Sequence, residues 1–253
     1  MKDKKVIFFD IDGTLLPFGD EIWSENTVNV LNELKNRGYE LFIATGRHHI
    51  NMPKFIKESG IFNGYICLNG QMIFVDGKCV HEDELDEKSI NALKQFCDEN
   101  NLTVMFATAN YFHLSKEDKD FEDYVAKLTN YKIDPEPNAP ILQAMMYVSP
   151  DYDEKIKSII PSCAITRWND RYIDINASHV SKAAGIKYFM NEYGILRENT
   201  IAVGDAGNDR DMLEFAGIGV AMGNADLKTK SVADIVIGED VNDGLSDLLD
   251  ILK

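Results

Sequence analysis

VIFFDIDGTLL, Val6 to Leu16, is the stretch on which the reading of this chain turns. Val6–Phe9 is a continuous apolar run of strand length, and the acids Asp10 and Asp12 follow it two positions apart. Strand alternation would point both carboxylates to one side, where they repel each other. Gly13 and Thr14 then follow in a run that reads as a turn. Taken alone, Asp12-Gly13 is an ordinary turn dipeptide. A calcium-binding loop does not fit: with Asp10 first, Leu15 stands where that loop needs glycine, and no helix precedes it.

Working outward, the first third alternates strand and helix. Ser24 caps a helix carrying Val28, Leu31 and Leu34 as far as Arg37-Gly38. Leu41–Ala44 is a second strand ending in Thr45-Gly46-Arg47, and a helix through Ile56 and a third strand, Tyr65–Leu68, follow. Short apolar runs joined by helices imply a parallel sheet covered on both faces. Asp76-Gly77 between Gln71–Val75 and Cys79–His81 signals a hairpin. From about Asp83 the order changes. It becomes helix (86–99), strands (103–108 and 111–115), helix (121–128), a Pro-rich link (134–140), strand (142–148), helix (153–160) and two antiparallel strands, 163–168 and 171–175, turning at Asn169-Asp170. After Lys182 strand–helix alternation resumes, with strands at 200–203, 218–221 and 235–237. The expected fold is α/β: a discontinuous Rossmann-like core, residues 1–82 and 180–253, into which an α+β module, residues 83–179, is inserted.

Composition narrows the function. A formal net charge of -16 over 253 residues argues against a nucleic-acid binder, because no surplus of cations exists to neutralise phosphates. Any small anionic ligand must then be met by local positive groups or a metal. The four cysteines, Cys67, Cys79, Cys97 and Cys163, lack metal-site spacing and read as reduced thiols, consistent with a cytoplasmic protein. No run approaches a membrane span, no signal peptide opens the chain, and no obligate protein partner is evident.

IAVGDAGND, Ile201 to Asp209, is a second apolar strand ending in acids, here Asp205 and Asp209, with Gly204 and Gly207 permitting close backbone approach. Two strands therefore deliver four carboxylates to one sheet edge, the place where open parallel sheets bind ligands. Carboxylates gathered this way need positive charge, and oxygen-only donors suit a hard cation, best Mg2+. A metal there invites a phosphate. Thr45 and Gly46 can offer it a hydroxyl and an unobstructed N–H, and Lys182 a compact positive charge.

FFDIDGTLL, TGR, SKAAGIK and GDAGND resemble, in this order, the four motifs of the haloacid dehalogenase superfamily. The gap of roughly 135 residues between TGR and Lys182 resembles the Cof-type phosphatases with a type IIB cap, and Leu68-Asn69-Gly70, Ala221–Ala225 and Asn242–Gly244 are further family-like runs. The resemblance implies a Mg2+-dependent phosphatase in which Asp10 is the nucleophile and Asp12 the general acid and base. It implies metal binding by Asp10, Asp205 and the Asp12 carbonyl, with Asp209 as a ligand or a supporting partner. Thr45, Gly46, Lys182 and Asn208 would hold the phosphate, and the cap would close and select the leaving group. Asn69 and Gly70 are further candidate substrate contacts. Arg47 either reaches a second substrate group or forms a salt bridge; His179 either touches the leaving group or is a surface histidine. His48 and His49 read as helix surface. Here the run NASHVSKAAG departs from the usual Cof-type pattern around the lysine, which leaves substrate choice open. The implied substrates are small phosphorylated metabolites: sugar phosphates, or a cofactor such as pyridoxal phosphate or FMN. Two rivals are a phosphomutase and a non-catalytic sugar-phosphate sensor. Only about thirty residues between Asp12 and Thr45 disfavour the first, and the presence of both Asp10 and Asp12 disfavours the second.

Overall fold

The structure is a computed structural model that describes residues 4–20, 22–119, 121, 131–167 and 170–252. The described chain divides into two compact units, Met1–His81 with Ser181–Lys253, and Glu82–Val180. Residues 122–128 of the expected helix 121–128 and the Asn169 turn position fall outside the described residues.

The first unit begins with β1 (Val6–Phe9), α1 (Glu25–Asn36), β2 (Glu40–Ala44), α2 (Lys54–Glu58), β3 (Gly64–Cys67), β4 (Met72–Val75) and β5 (Lys78–Glu82). Ser24 caps α1, its side chain accepting from the Thr27 N–H. Asp76 and Gly77, at φ 49° and 75°, make the β4–β5 turn with both central residues left-handed, the geometry that suits a two-residue hairpin. The second unit holds α3 (Glu87–Asn100), β6 (Val104–Ala107), β7 (Phe112–Leu114), β8 (Tyr131–Ile133), β9 (Gln143–Tyr147), α4 (Asp153–Ile159), β10 (Cys163–Arg167) and β11 (Tyr172–Ala177). The chain then returns with α5 (Lys182–Tyr193), β12 (Thr200–Gly204), α6 (Arg210–Phe215), β13 (Ile218–Ala221), α7 (Leu227–Lys230), β14 (Ile235–Val236) and α8 (Asp247–Ile251).

The first unit's sheet runs β14-β13-β12-β1-β2-β3-β4-β5, parallel from β14 to β3 and antiparallel between β3 and β4. Strand order reverses at β1, which lies between β2 and β12, so the carboxyl ends of these strands form a topological switch point. Every residue of β1 is fully buried, as a central parallel strand requires. Phe8, Phe42 and Phe189 pack together beneath α5, with ring centroids 4.4–5.8 Å apart. The second unit's sheet runs β10-β11-β9-β6-β7-β8 and is antiparallel except for β7 with β8. Its own core gathers Leu93, Phe106, Met146, Ile156 and Ile175.

Two local expectations need correction. β8 was not legible: its three residues are all exposed and sit just before the stretch read as a Pro-rich link. His48 is not helix surface. It is 3% exposed and caps a short 3-10 turn, its Nδ1 accepting from the Ile50 N–H at 3.1 Å. The adjoining Pro53 limits the helix to Lys54–Glu58.

Candidate active site

Asp10 leaves β1 buried, its N–H bonded to the Val203 carbonyl at 3.0 Å, so the β1–β12 ladder fixes where the carboxylate emerges. The next residues wind tightly. The N–H groups of Leu15 and Leu16 both reach the Ile11 carbonyl at 2.9 Å, and Gly13 sits at φ 86°. A Cβ on Gly13 would lie 2.2 Å from Asp205 Oδ2, so glycine is required there both for its backbone and for room. The turn sends the two acids of the opening motif to different partners. Asp10 Oδ1 accepts from Lys182 Nζ at 2.7 Å; Asp12 is gripped bidentately by Arg47, Nε to Oδ2 at 2.7 Å and one terminal nitrogen to Oδ1 at 2.6 Å.

Lys182 opens α5, whose first turn is capped by Ser181 accepting from the Ala184 N–H. Its ammonium is fully buried and also donates to Asp209 Oδ1 at 2.6 Å. The other oxygen of Asp209 accepts from the N–H groups of Asp205 and Ala206, at 3.0 and 2.8 Å. With both oxygens engaged, Asp209 is built to brace the loop. A Cβ on Gly204 would come within 2.6 Å of the Asp209 carboxyl carbon, which explains a glycine at the end of β12. Asp205 Oδ1 accepts from the Thr14 hydroxyl at 3.0 Å, and Asn224 Nδ2 lies 3.3 Å from its Oδ2 while donating to the Gly13 carbonyl at 3.0 Å.

Asp10, Asp205 and Asp209 each offer an oxygen within 4.8 Å of the others. Three carboxylates and one lysine leave an excess of negative charge, and each like-charge pair at such spacing costs roughly 3 kcal/mol at an effective dielectric constant of about 20. Burial, with Asp209 adding to it, lifts the Asp10 carboxyl to about 8 against the pull of Lys182. Burial and Asp209 likewise lift Asp205 to about 7. Burial opposes the charge of Lys182, but Asp10 and Asp209 overcome it and hold the ammonium above the ordinary lysine range. An oxygen-only donor set that is short of positive charge fits a hard divalent cation.

Thr45 ends β2 buried, its Oγ1 accepting from the Arg47 N–H at 3.1 Å, which leaves the hydroxyl proton to donate elsewhere. Gly46 lies against Asn69: a Cβ there would meet Asn69 Oδ1 at 3.2 Å. Asn208 Nδ2 donates to that same oxygen at 3.2 Å. Gly70 packs against the start of α5, where a Cβ would stand 2.3 Å from the Ser181 carbonyl oxygen.

A profile of the haloacid dehalogenase-like hydrolases matches residues 7–249, nearly the whole chain. The chain belongs to this family. Over 252 residues it is 31% identical to YkrA of Bacillus subtilis, with 96% of each chain covered. It is 28% identical to the pyridoxal phosphate phosphatase YbhA of Escherichia coli, with 97% of each covered. Among solved structures it resembles the subclass IIB sugar phosphatase BT4131 with a TM-score of 0.87 at 27% identity, covering 98% of this chain and 99% of that one. The protein is thus a phosphatase of the haloacid dehalogenase family, with a Rossmann-like core and a type IIB cap.

Within this haloacid dehalogenase core, the structure brings Asp10, Asp205, Asp209 and Lys182 into one buried cluster and sets Asp12 beside it on Arg47. His179, in the second unit, is exposed and pairs with Asp83 at 2.7 Å. Thr14 and Asn224 are site residues that motif reading did not single out. Both lie inside runs already notable, DIDGTLL and AMGNA, but only the fold shows that their side chains turn onto Asp205. A cavity of about 430 Å³ lies within the second unit, lined by Thr108, Tyr111, His113, Lys132 and Asp134 among others, and contains none of these acids.

Proposed function

We propose that this phosphatase hydrolyses small phosphomonoesters with Mg2+, through an aspartyl-phosphate on Asp10. The observation that carries the reading is Lys182 bridging Asp10 and Asp209 at a buried sheet edge, with Asp12 held two residues away by Arg47. Asp10 and Asp205 are the side chains to hold Mg2+, with the Asp12 carbonyl as a further donor and Asp209 bracing the loop. Bound there, the cation supplies the positive charge that the acids lack and draws charge from a phosphoryl oxygen.

A carboxylate oxygen of Asp10 attacks phosphorus in line while the bond to the leaving oxygen breaks. Asp12 gives that oxygen its proton, and the product alcohol departs. Water then attacks the aspartyl-phosphate, Asp12 takes its proton, and the phosphorus–Asp10 oxygen bond breaks to release phosphate. Lys182, Thr45, Gly46 and Asn208 hold the phosphoryl oxygens through both steps. Arg47 now occupies both oxygens of Asp12, so that carboxylate must turn, or use its outer lone pairs, to share a proton with the leaving group. The substrate class is sugar phosphates or a phosphorylated cofactor such as pyridoxal phosphate or FMN, supported by the sugar phosphatase BT4131 and the pyridoxal phosphate phosphatase YbhA among its relatives.

Asp10→Asn tests the chemistry with p-nitrophenyl phosphate in the presence and absence of Mg2+. Turnover is expected to vanish while the folded protein still binds phosphate. One turnover in ¹⁸O-enriched water should place the heavy isotope in the released phosphate and none in the peptide carrying Asp10, because water attacks phosphorus and the phosphorus–Asp10 oxygen bond breaks. Full activity in the variant refutes the nucleophile, and label in that peptide would move water's attack from phosphorus to the Asp10 carboxyl carbon.

A further inference from the structure

We propose, on the reading that Asp10, Lys182 and Asn208 form the phosphate site, that Asn69 is a positioning residue for that site and not a contact for the leaving group. Leu68, Asn69 and Gly70 hold φ values of 51°, 55° and 112°, three successive residues in the left-handed region. Asparagine and glycine tolerate that region; leucine does so only where its surroundings enforce it. Two hydrogen bonds to the Thr45–Arg47 loop do so, from the Leu68 N–H to the Arg47 carbonyl at 3.1 Å and from the Asn69 N–H to the Thr45 carbonyl at 3.0 Å.

This turn touches every loop that would hold the phosphate. Its backbone lies on the Thr45–Arg47 loop, and Gly70 abuts Ser181, the residue before Lys182. The Asn69 side chain reaches across to the third loop, its Oδ1 accepting from Asn208 Nδ2 while lying over Gly46. A residue meant for the leaving group would keep its amide oxygen for substrate. Asn69 spends it on Asn208, and one fixed N–H of the Asn208 amide orients the other. The left-handed backbone is what turns the Asn69 side chain toward that neighbour, so the strain and the contact have one purpose.

Asn69→Gly keeps the backbone conformation accessible and deletes only the amide. It is expected to lower kcat/KM about tenfold for p-nitrophenyl phosphate and for a hexose phosphate alike, and to add less than about twofold once Asn208→Ala is present. The inhibition constant for inorganic phosphate should rise in parallel. A loss confined to one leaving group, a loss that adds fully to that of Asn208→Ala, or no loss at all overturns the assignment. If the glycine variant does not fold, Asn69→His, which also tolerates a left-handed backbone, runs the same cycle. Asp10→Asn measured alongside separates the two readings. An inactive Asp10 variant with uncoupled Asn69 and Asn208 sinks only the positioning role, whereas a fully active one removes the phosphate site itself.

Discussion

In the metal-free protein burial lifts the Asp10 carboxyl to about 8 and the Asp205 carboxyl to about 7, so both give up their protons at a higher pH than surface aspartates do. Their values in the unfolded chain lie near 3.8. Between about pH 4 and pH 8 the folded, metal-free protein therefore binds more protons than the unfolded one, and its stability falls as pH rises through that window. On the proposed reading Mg2+ binds the ionised acids and would displace the same protons. The expected result is a melting temperature in EDTA that declines from about pH 5 to about pH 8, and a stabilisation by Mg2+ that grows over the same range. Thermal melts with and without the ion check this. A Mg2+ effect independent of pH would separate these carboxyls from the metal. Asp10 and Asp205 were legible in the sequence because each ends an apolar run that can only be a buried strand. The partners on which the two acids settle, Lys182 for Asp10 and Arg47 for Asp12, were not, because both come from distant parts of the chain that only the fold brings together.

At the scale of the element, legibility follows burial and capping. α1 could be read from the sequence because Ser24 precedes an apolar stripe, and Ser24 is the observed cap; α3 is expected over 86–99, and Asp86, read as its first residue, is its cap. β8 could not, because Tyr131, Lys132 and Ile133 all face solvent and leave no in–out alternation to detect. The α3 cap has a measurable consequence. Asp86 accepts from the Ser89 N–H at 2.9 Å and from the hydroxyls of Ser89 and Ser162 at 2.8 and 2.6 Å, tying α3 to the turn before β10. The hydrogen bond from Ser162 leads these three contacts in holding the carboxyl down to about 2. Its contribution is therefore fully present above about pH 4 and is lost as pH falls towards 2. Asp86→Ala should cost about 1 kcal/mol, the usual worth of such a cap, and should flatten the acid limb of stability for the second unit. Urea melts at about pH 7 and about pH 3 measure both effects. An alanine variant that loses stability equally at the two pH values would show that packing, and not the charged cap, is what Asp86 provides.

For the molecule as a whole, the change of pattern near Asp83 and its reversal after Lys182 give the expectation of an inserted module, and the described chain divides into two compact units. A parallel sheet demands strand–helix alternation, which an antiparallel one does not. Each unit has a separate apolar cluster, one around Phe8, Phe42 and Phe189, the other around Leu93, Phe106 and Ile156. The acid cluster belongs wholly to the first unit, since Asp10, Asp205 and Asp209 all come from the ends of β1 and β12. Ion binding stabilises the state that holds the ion, so its free energy should enter the first unit alone, provided the two clusters unfold as separate cooperative bodies. Amide hydrogen exchange at saturating Mg2+ should then slow about tenfold or more in β1, β12 and the opening turn of α5, while β9 and β11 stay within about twofold of their metal-free rates. Strands β9 and β11 are a demanding control, because both are paired on either side within their sheet and would register any global change. Equal slowing in both units would mean that the chain opens as one cooperative body, joined through the crossings near His81 and Val180, and that metal binding and cap stability are thermodynamically coupled.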